Sequence, residues 1–205
     1  MAHSFPKPKP LSLKGPIAKL KSFVIPNTTI KGETLDIIDQ LLIGLLNHIA
    51  HNTGILLDAP AGKKIIRSAL VMNVTEMIVG LSLDGKIKNL NAFIFDYIRA
   101  GKLASFPSTN TVRYFQGKIP PALVVEEGNT KIVYSYHIRK KESSLGRTLA
   151  LTLEAVCTRI FEVSSTKTLS EGRSRITPRD LYLSIQEDFF LEKIFRKFMM
   201  QGGAR

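Results

Sequence analysis

Several features are scarce in this sequence, and each absence excludes a class of protein. Cys157 is the only cysteine among the 205 residues, so the chain can form neither an intrachain disulfide framework nor a multi-cysteine zinc site. A reducing compartment is the default for such a chain. The N-terminal stretch "MAHSFPKPKPLSLKGP" lacks the apolar core of a signal peptide, so we expect that the protein is not secreted.

Residue groupings typical of catalysis or metal binding are also missing. No nucleophile is spaced to pair with a base, and the carboxylates are mostly isolated, so we expect no enzyme activity and no cofactor. "LDAPAGKK" resembles the phosphate-binding loop of an NTPase, but Leu57 stands at its first glycine and Lys64 at its hydroxyl position. His48 and His51 could share a helix face as metal ligands, but the absence of a third spaced ligand favours a packing or solvent role.

The longest apolar run lacks the uniform hydrophobicity of a membrane span. It extends from Leu35 to Leu57, and its polar residues are Asp36, Asp39, Asn47, His48, His51 and Asn52. These are too many polar groups to leave without partners in hydrocarbon. Because 44% of the residues are hydrophobic, enough for a packed core, the run predicts a buried helix of a soluble protein.

Acidic residues are few relative to basic ones. The chain has 29 Lys and Arg against 17 Asp and Glu, a net charge of +12 that predicts a polyanionic partner such as nucleic acid or anionic lipid. Residues 1–103 contain 13 basic and 7 acidic residues, and residues 104–205 contain 16 and 10, so each half has a net charge of +6. A basic tail on a neutral domain would not give this even distribution.

Hydrophobic periodicity predicts an all-α fold with the same order of helices in both halves. After a disordered Pro/Lys-rich tail at residues 1–14, the first half has a short helix near Pro16, a loop, and a long helix from Glu33 to Leu57. Further helices are predicted from Lys64 to Ile78 and from Leu83 to Ala100. The apolar residues of the long helix cover most of its surface. Such a helix needs a partner of similar shape to bury them.

The second half supplies that partner. "FPSTNTVRYF" predicts a short helix, and apolar residues at helical spacing from Leu145 to Val163 predict a second long one. "SEGRSR" breaks it, and a helix capped by Thr177 and Pro178 follows. "FLEKIFRKF" predicts a last helix. The two halves have little identity, but their helix lengths match.

These segments resemble histones. "RSRITPRDLYLSIQEDFFLEKIF" is similar to the second loop and third helix of histone 2A, with its Arg-Ile-x-Pro-Arg-x-Leu string from Arg175 to Leu181. "LGRTLALTLEAVCTRIFEV" resembles the central helix of that histone, and "FPSTNTVRYF" its first helix. "LKSFVIPNTTIKGETLDII" resembles histone 2B, with a Pro-x-Thr-x-Ile pattern at Pro26, Thr28 and Ile30. The order of the two halves is that of the fused histone doublets of giant viruses.

The resemblance implies a fold, a function and partners. We expect two tandem histone folds, 2B-like at 15–103 and 2A-like at 104–205, packed as an intramolecular handshake. The implied function is DNA packaging by sequence-independent wrapping of duplex DNA in a nucleosome-like particle. Histone 3/4-like proteins, as a second fused doublet, would complete the particle in a virion, viral factory or host nucleus. The alternative is an architectural or transcription-factor-like DNA-binding pair, and an NTPase is a distant third.

The resemblance also implies site residues. We expect nine basic residues to contact DNA, foremost the two arginines of the loop after the second long helix: Lys31, Lys63, Lys64, Arg113, Lys140, Lys141, Arg147, Arg173 and Arg175. The acidic surface patch of the family is eroded here. Its remaining acids are Glu154, Glu162 and Asp188, whereas Arg159, Phe189 and Phe190 stand where acids are expected.

Residues 117–139 are an insertion where the family has a brief loop. Within "ALVVEEGNTKIVYSYHI" (122–138), two strand-favouring runs surround Gly128 and Asn129, residues typical of tight hairpin turns. We therefore predict a small β-hairpin docked on the helical body, with a disordered loop as the alternative. We also expect the family's long docking extension after the 2A-like fold to be missing, since "MMQGGAR" follows the last predicted helix.

Overall fold

The protein is mostly helical. The computed structural model describes residues 11–56, 64–65, 109–118, 122–127, 130–135 and 144–202. The helices in this part of the chain are α1 (Lys14–Val24), α2 (Gly32–Leu56), α3 (Thr109–Gln116), α4 (Ser144–Ser170), α5 (Pro178–Glu187) and α6 (Phe189–Gly202). The strands are β1 (Thr29–Ile30), β2 (Lys64–Ile65), β3 (Ala122–Glu127), β4 (Thr130–Ser135) and β5 (Arg175–Ile176).

The core is built around α4 by helices from both halves of the sequence. Helices α1, α2, α3 and α5 all pack against α4. Ile17 and Leu42 from the first half and Phe115 and Phe161 from the second are fully buried in one cluster. The prediction that the two long helices contact each other is therefore confirmed. None of the helices among the described residues has the length and apolar character needed to cross a membrane.

Helix α1 begins with a cap supplied from another helix. The backbone N–H of Leu13 donates to Asp39 Oδ1 of α2 at 2.6 Å, and the hydroxyl of Ser12 donates to Asp39 Oδ2 at 3.2 Å. The carboxylate thereby satisfies a helix N-terminus that has no local side-chain cap. Because Leu13 is fully buried, the folded body starts before the predicted end of the tail at residue 14.

Two parallel strand pairs connect the halves. In the first, β1 pairs with β5, with Thr29 opposite Arg175 and Ile30 opposite Ile176. The N–H of Thr29 donates to the carbonyl of Ser174 at 2.8 Å. In the second, β2 pairs with β4. The segment before α2 thus pairs with the segment after α4, and the segment after α2 pairs with the segment before α4.

The predicted hairpin is confirmed. Strands β3 and β4 pair antiparallel, with Ala122 opposite Ser135 and Glu127 opposite Thr130. With β2 they form a three-stranded sheet in the order β2-β4-β3, and β3 lies against α2. The strand β2 corrects the helix predicted from Lys64, because pairing with β4 outweighs the local helical pattern at its first two residues. The rest of that helix and the one predicted from residue 83 lie outside the described residues.

The stretch between α4 and α5 is fixed by backbone and capping chemistry. Gly172 has a φ of +72°, a left-handed conformation that favours glycine after a helix C-terminus. Thr177 and Asp180 form a capping box, in which each side chain accepts a hydrogen bond from the other residue's backbone N–H. With Pro178 in the first turn, this confirms the helix start predicted at Thr177.

Candidate nucleic-acid interface

The β1–β5 pair presents an exposed basic face. Ile176 is buried and Ile30 is half-buried, whereas Thr29, Lys31 and Arg175 are exposed. Strand alternation places these three exposed residues on the same side. The Arg175 Nε lies 3.5 Å from the Thr29 hydroxyl oxygen, so its guanidinium lies across the pair. Two cations from positions far apart in sequence, Lys31 and Arg175, thus lie on the same exposed face.

Arg173 is paired with two acidic side chains of the protein. Its guanidinium donates to both carboxylate oxygens of Asp180, with Nη1 at 2.8 Å from Oδ2, and also pairs with Glu171. Asp180 is only 1% exposed. The hydrogen bonds from Arg173, helped by those from Thr177 and opposed by burial, lower the pKa of Asp180 to about 2. Of the two arginines expected to face DNA, Arg173 is thus half-buried and paired with two acids, whereas Arg175 is exposed.

A second basic surface lies on α1 and α3, which pack side by side. Together these helices contain four basic residues and no acidic one: Lys14, Lys19, Lys21 and Arg113. Lys14 forms an ion pair with Asp36 of α2 at 2.7 Å, and the hydrogen bond to that carboxylate raises the Lys14 pKa. The ammonium group of Lys19 lies 4.8 Å from the centre of the Tyr114 ring. The exposed Arg113 shares a surface pocket with Lys19, Phe23 and Tyr114.

The two basic surfaces follow each other along the chain. Helix α1 ends at Val24, and only residues 25–28 separate it from β1. In this turn, the hydroxyl oxygens of Thr28 and Ser165 of α4 are 2.9 Å apart and buried, so the connection is anchored on the core. The path from α3 across α1 to the β1–β5 pair therefore forms the candidate interface.

The other residues expected to contact DNA are only partly placed. Lys64 lies in β2, and Arg147 lies in the first turn of α4. Lys63, Lys140 and Lys141 lie outside the described residues. Lys19, Lys21 and the two exposed aromatic residues beside them, Phe23 and Tyr114, were not among the residues predicted to contact DNA. The absence of acidic residues from the α1 and α3 segments could have identified this surface.

The predicted acidic patch is not an exposed acidic surface. Glu154 is fully buried in α4, which corrects the expectation that it belongs to the surface. Asp188 caps α6 by accepting from the N–H of Leu191, and it also accepts two hydrogen bonds from Arg159, at 2.7 and 3.0 Å. Of the two phenylalanines that stand where acids of the surface patch are expected, Phe190 is buried and Phe189 is exposed.

The groove between α4 and α5 is charge-compensated. Arg159 lies 3.7 Å from Glu162 in addition to its contact with Asp188, and Lys167 binds Glu187 at 2.7 Å. These five side chains line the same groove. Each of its acids therefore has a basic neighbour within the protein, and an incoming cation would have to compete with that neighbour.

This arrangement predicts weak binding of arginine-anchored peptides that recognise acidic patches. We expect Arg159→Glu to bind such a peptide about tenfold more tightly than the native chain, because a close interfacial charge pair contributes about 1.5 kcal/mol or more. Titration of a labelled peptide measures the difference. Arg196→Glu makes the same charge change at an exposed position of α6 and should leave the affinity unchanged. Native binding as tight as that of the variant would contradict the prediction.

The cysteine thiol lies in the core. Cys157 is buried, and burial, followed by the charge of Glu154, raises the pKa of its thiol well above the usual range. Such a thiol behaves as a small core residue. Within the described ranges, no three His, Cys, Asp or Glu residues are grouped to hold a metal ion.

The sequence matches no protein-family model and no curated protein.

Proposed function

We propose that the chain packages duplex DNA as a fused pair of histone folds. The 2B-like half at 15–103 and the 2A-like half at 104–205 would form an intramolecular handshake. The observation that carries the proposal is the β1–β5 pair, which brings Lys31 and Arg175 from different halves onto one exposed face. Such a face can neutralise neighbouring phosphates of one duplex.

The connections between the halves support the handshake. The loop before α2 pairs with the loop after α4, and the segment after α2 pairs with the segment before α4. Two units of the same short–long–short design, facing each other, would produce this reciprocal pattern. Because the two units belong to one chain, each holds the other at a high effective concentration.

The charge distribution supports binding without base recognition. Exposed cations lie on α1, on α3 and at the β1–β5 pair, which together draw on both halves. The net charge of +12 is evenly divided between the halves. Contacts from lysine and arginine to phosphates position a protein on DNA but carry no direct sequence information. We therefore propose wrapping that is insensitive to sequence, with histone 3/4-like proteins, supplied as a second doublet, as the other component of a particle.

Salt dependence tests the proposed interface. We expect Arg175→Ala and Lys31→Ala each to reduce the log–log slope of affinity against salt by about 0.9, the value for one lost phosphate contact. Arg173→Ala should leave the slope unchanged, because the charge of this guanidinium is already compensated by Asp180 and Glu171. Fluorescence anisotropy with a random-sequence duplex between low and physiological salt provides the measurement.

Arg196→Ala is the matched control, since it also removes one exposed positive charge, but from α6. It should retain the native slope. Slopes that remain native in both Arg175→Ala and Lys31→Ala would mean that the β1–β5 face does not touch DNA.

Nuclease protection separates nucleosome-like packaging from a looser architectural role. The protein is mixed with long DNA, with and without a tetramer of histone 3/4-like proteins, and digested with micrococcal nuclease. A ladder of protected fragments supports the proposal. Smeared digestion under both conditions would instead support the alternative of an architectural DNA-binding pair.

A further inference from the structure

We propose that the pocket between α1 and α3 binds single-stranded nucleic acid, whose bases stack on Phe23 and Tyr114. The pocket lies within the candidate interface and shares the cations Lys19 and Arg113 with duplex binding, but base stacking uses the rings of Phe23 and Tyr114. The ligand is defined by two features: unpaired bases that offer a free ring face, and phosphates that pair with Lys19 and Arg113. These four residues line one pocket on the surface of the protein.

The exposure of the two aromatic side chains is the first support. Phe23 is 62% exposed and Tyr114 is 44% exposed, although large apolar side chains are normally withdrawn from water. They lie on neighbouring helices and share a pocket, so their exposed surfaces form a local cluster. Clustered apolar exposure marks a binding surface more often than scattered exposure does.

The charge around the cluster identifies the ligand as an anion. Lys19 and Arg113 lie in the pocket, and neither helix contains an acidic residue. Lys19 also contacts the Tyr114 ring through a cation–π interaction, which places a positive charge directly beside a stacking surface. The exposed Phe189 has a similar neighbour in Lys193, 5.8 Å away, but it lies between the acidic Asp188 and Glu192.

A single strand fits this chemistry better than a duplex. In a duplex, the faces of the bases are covered by their neighbours in the stack, so a surface ring cannot reach them without unstacking the helix. In a single strand, every base has a free face, and an aromatic side chain beside a cation can bind base and phosphate together with little sequence preference.

The test compares three ligands of the full-length protein by fluorescence anisotropy at one salt concentration. The first is a thymidine strand of about 12 nucleotides, long enough to cover one binding patch. The second is an abasic strand with the same number of phosphates, and the third is a duplex. We expect the thymidine strand to bind about tenfold more tightly than the abasic strand, because stacking one base contributes this much or more. Phe23→Leu combined with Tyr114→Leu should remove the preference, because leucine has no ring face on which a base can stack.

Two further variants make the result specific. Tyr114→Phe keeps the ring and should keep the preference for bases. Phe189→Leu combined with Tyr182→Leu removes an exposed pair of the same residue types, 48% and 41% exposed, from other helices, and should change nothing. If the leucine double variant melts below the native protein, Phe23→Leu alone, at the more exposed position, should still reduce the preference.

Two results would overturn the proposal. One is equal affinity of the native protein for the thymidine and abasic strands, and the other is an undiminished preference in the leucine variants. Duplex affinity in the same titrations reports separately on DNA wrapping. Failure of the stacking site and failure of the proposed function are therefore distinguishable.

Discussion

Asp180→Ala is expected to lower the free energy of unfolding by about 3 kcal/mol, a large part of the stability of a typical domain. The carboxylate is 1% exposed and serves two partners. It receives both guanidinium contacts from Arg173, and it completes the capping box with Thr177 at the start of α5. Alanine removes both interactions and leaves Arg173 paired with the exposed Glu171. Chemical denaturation of the native and variant proteins measures the loss.

The same carboxylate makes stability depend on pH in the acid range. Since hydrogen bonding to Arg173 lowers its pKa from 3.8 to about 2, the folded state binds its proton less readily than the unfolded chain. The stabilisation is therefore fully present above about pH 4 and is lost as the pH falls toward 2. This lowering of the Asp180 pKa corresponds to about 2 kcal/mol of folding stability. Asp180→Asn, which keeps the shape of the side chain, should remove this part of the pH dependence.

Glu187→Ala is the matched control for both measurements. Glu187 also joins α5 to a basic residue of the α4 region, pairing with Lys167 at 2.7 Å, but its side chain is 59% exposed. Exposed ion pairs contribute little, so the loss should be about 0.5 kcal/mol or less. Equal destabilisation by Asp180→Ala and Glu187→Ala would mean that burial does not make the contacts of Asp180 stronger than those of an exposed ion pair.

Local chemistry was sufficient to predict several elements. The spacing of apolar residues predicted α2 and α4, because a long amphipathic helix leaves a periodic pattern. Thr177 and Pro178 predicted the start of α5, and Gly128 and Asn129 predicted the β3–β4 hairpin, since capping and turn residues act within a few positions of themselves.

The features that the sequence did not predict depend on contacts between residues of different elements. Arg173 and Arg175 occupy the same loop, yet only Arg173 meets Asp180, because the capping box turns that carboxylate back toward the loop. Glu154 was expected on a surface and is buried, since α4 is covered by other helices on several sides. The cap of α1 by Asp39 joins positions 26 residues apart. No local pattern contains these pairings.

Separating the two halves should abolish folding of each. We expect residues 1–103 and residues 104–205, expressed alone, to show no cooperative thermal transition by circular dichroism. Without the first half, α4 loses its packing against α1 and α2. The loss also removes the β1–β5 hydrogen bonds and the buried contact between Thr28 and Ser165. Each separated half would leave more apolar surface exposed to water than it can bury by itself.

Mixing the two halves should restore a cooperative transition whose midpoint rises with protein concentration, because association is then part of folding. The uncut chain is the control, and its midpoint should not change over the same concentrations, since its two halves are already linked. Sedimentation of the mixture should give a one-to-one complex. A cooperative transition of either half as a monomer would contradict the shared core and, with it, the proposed handshake.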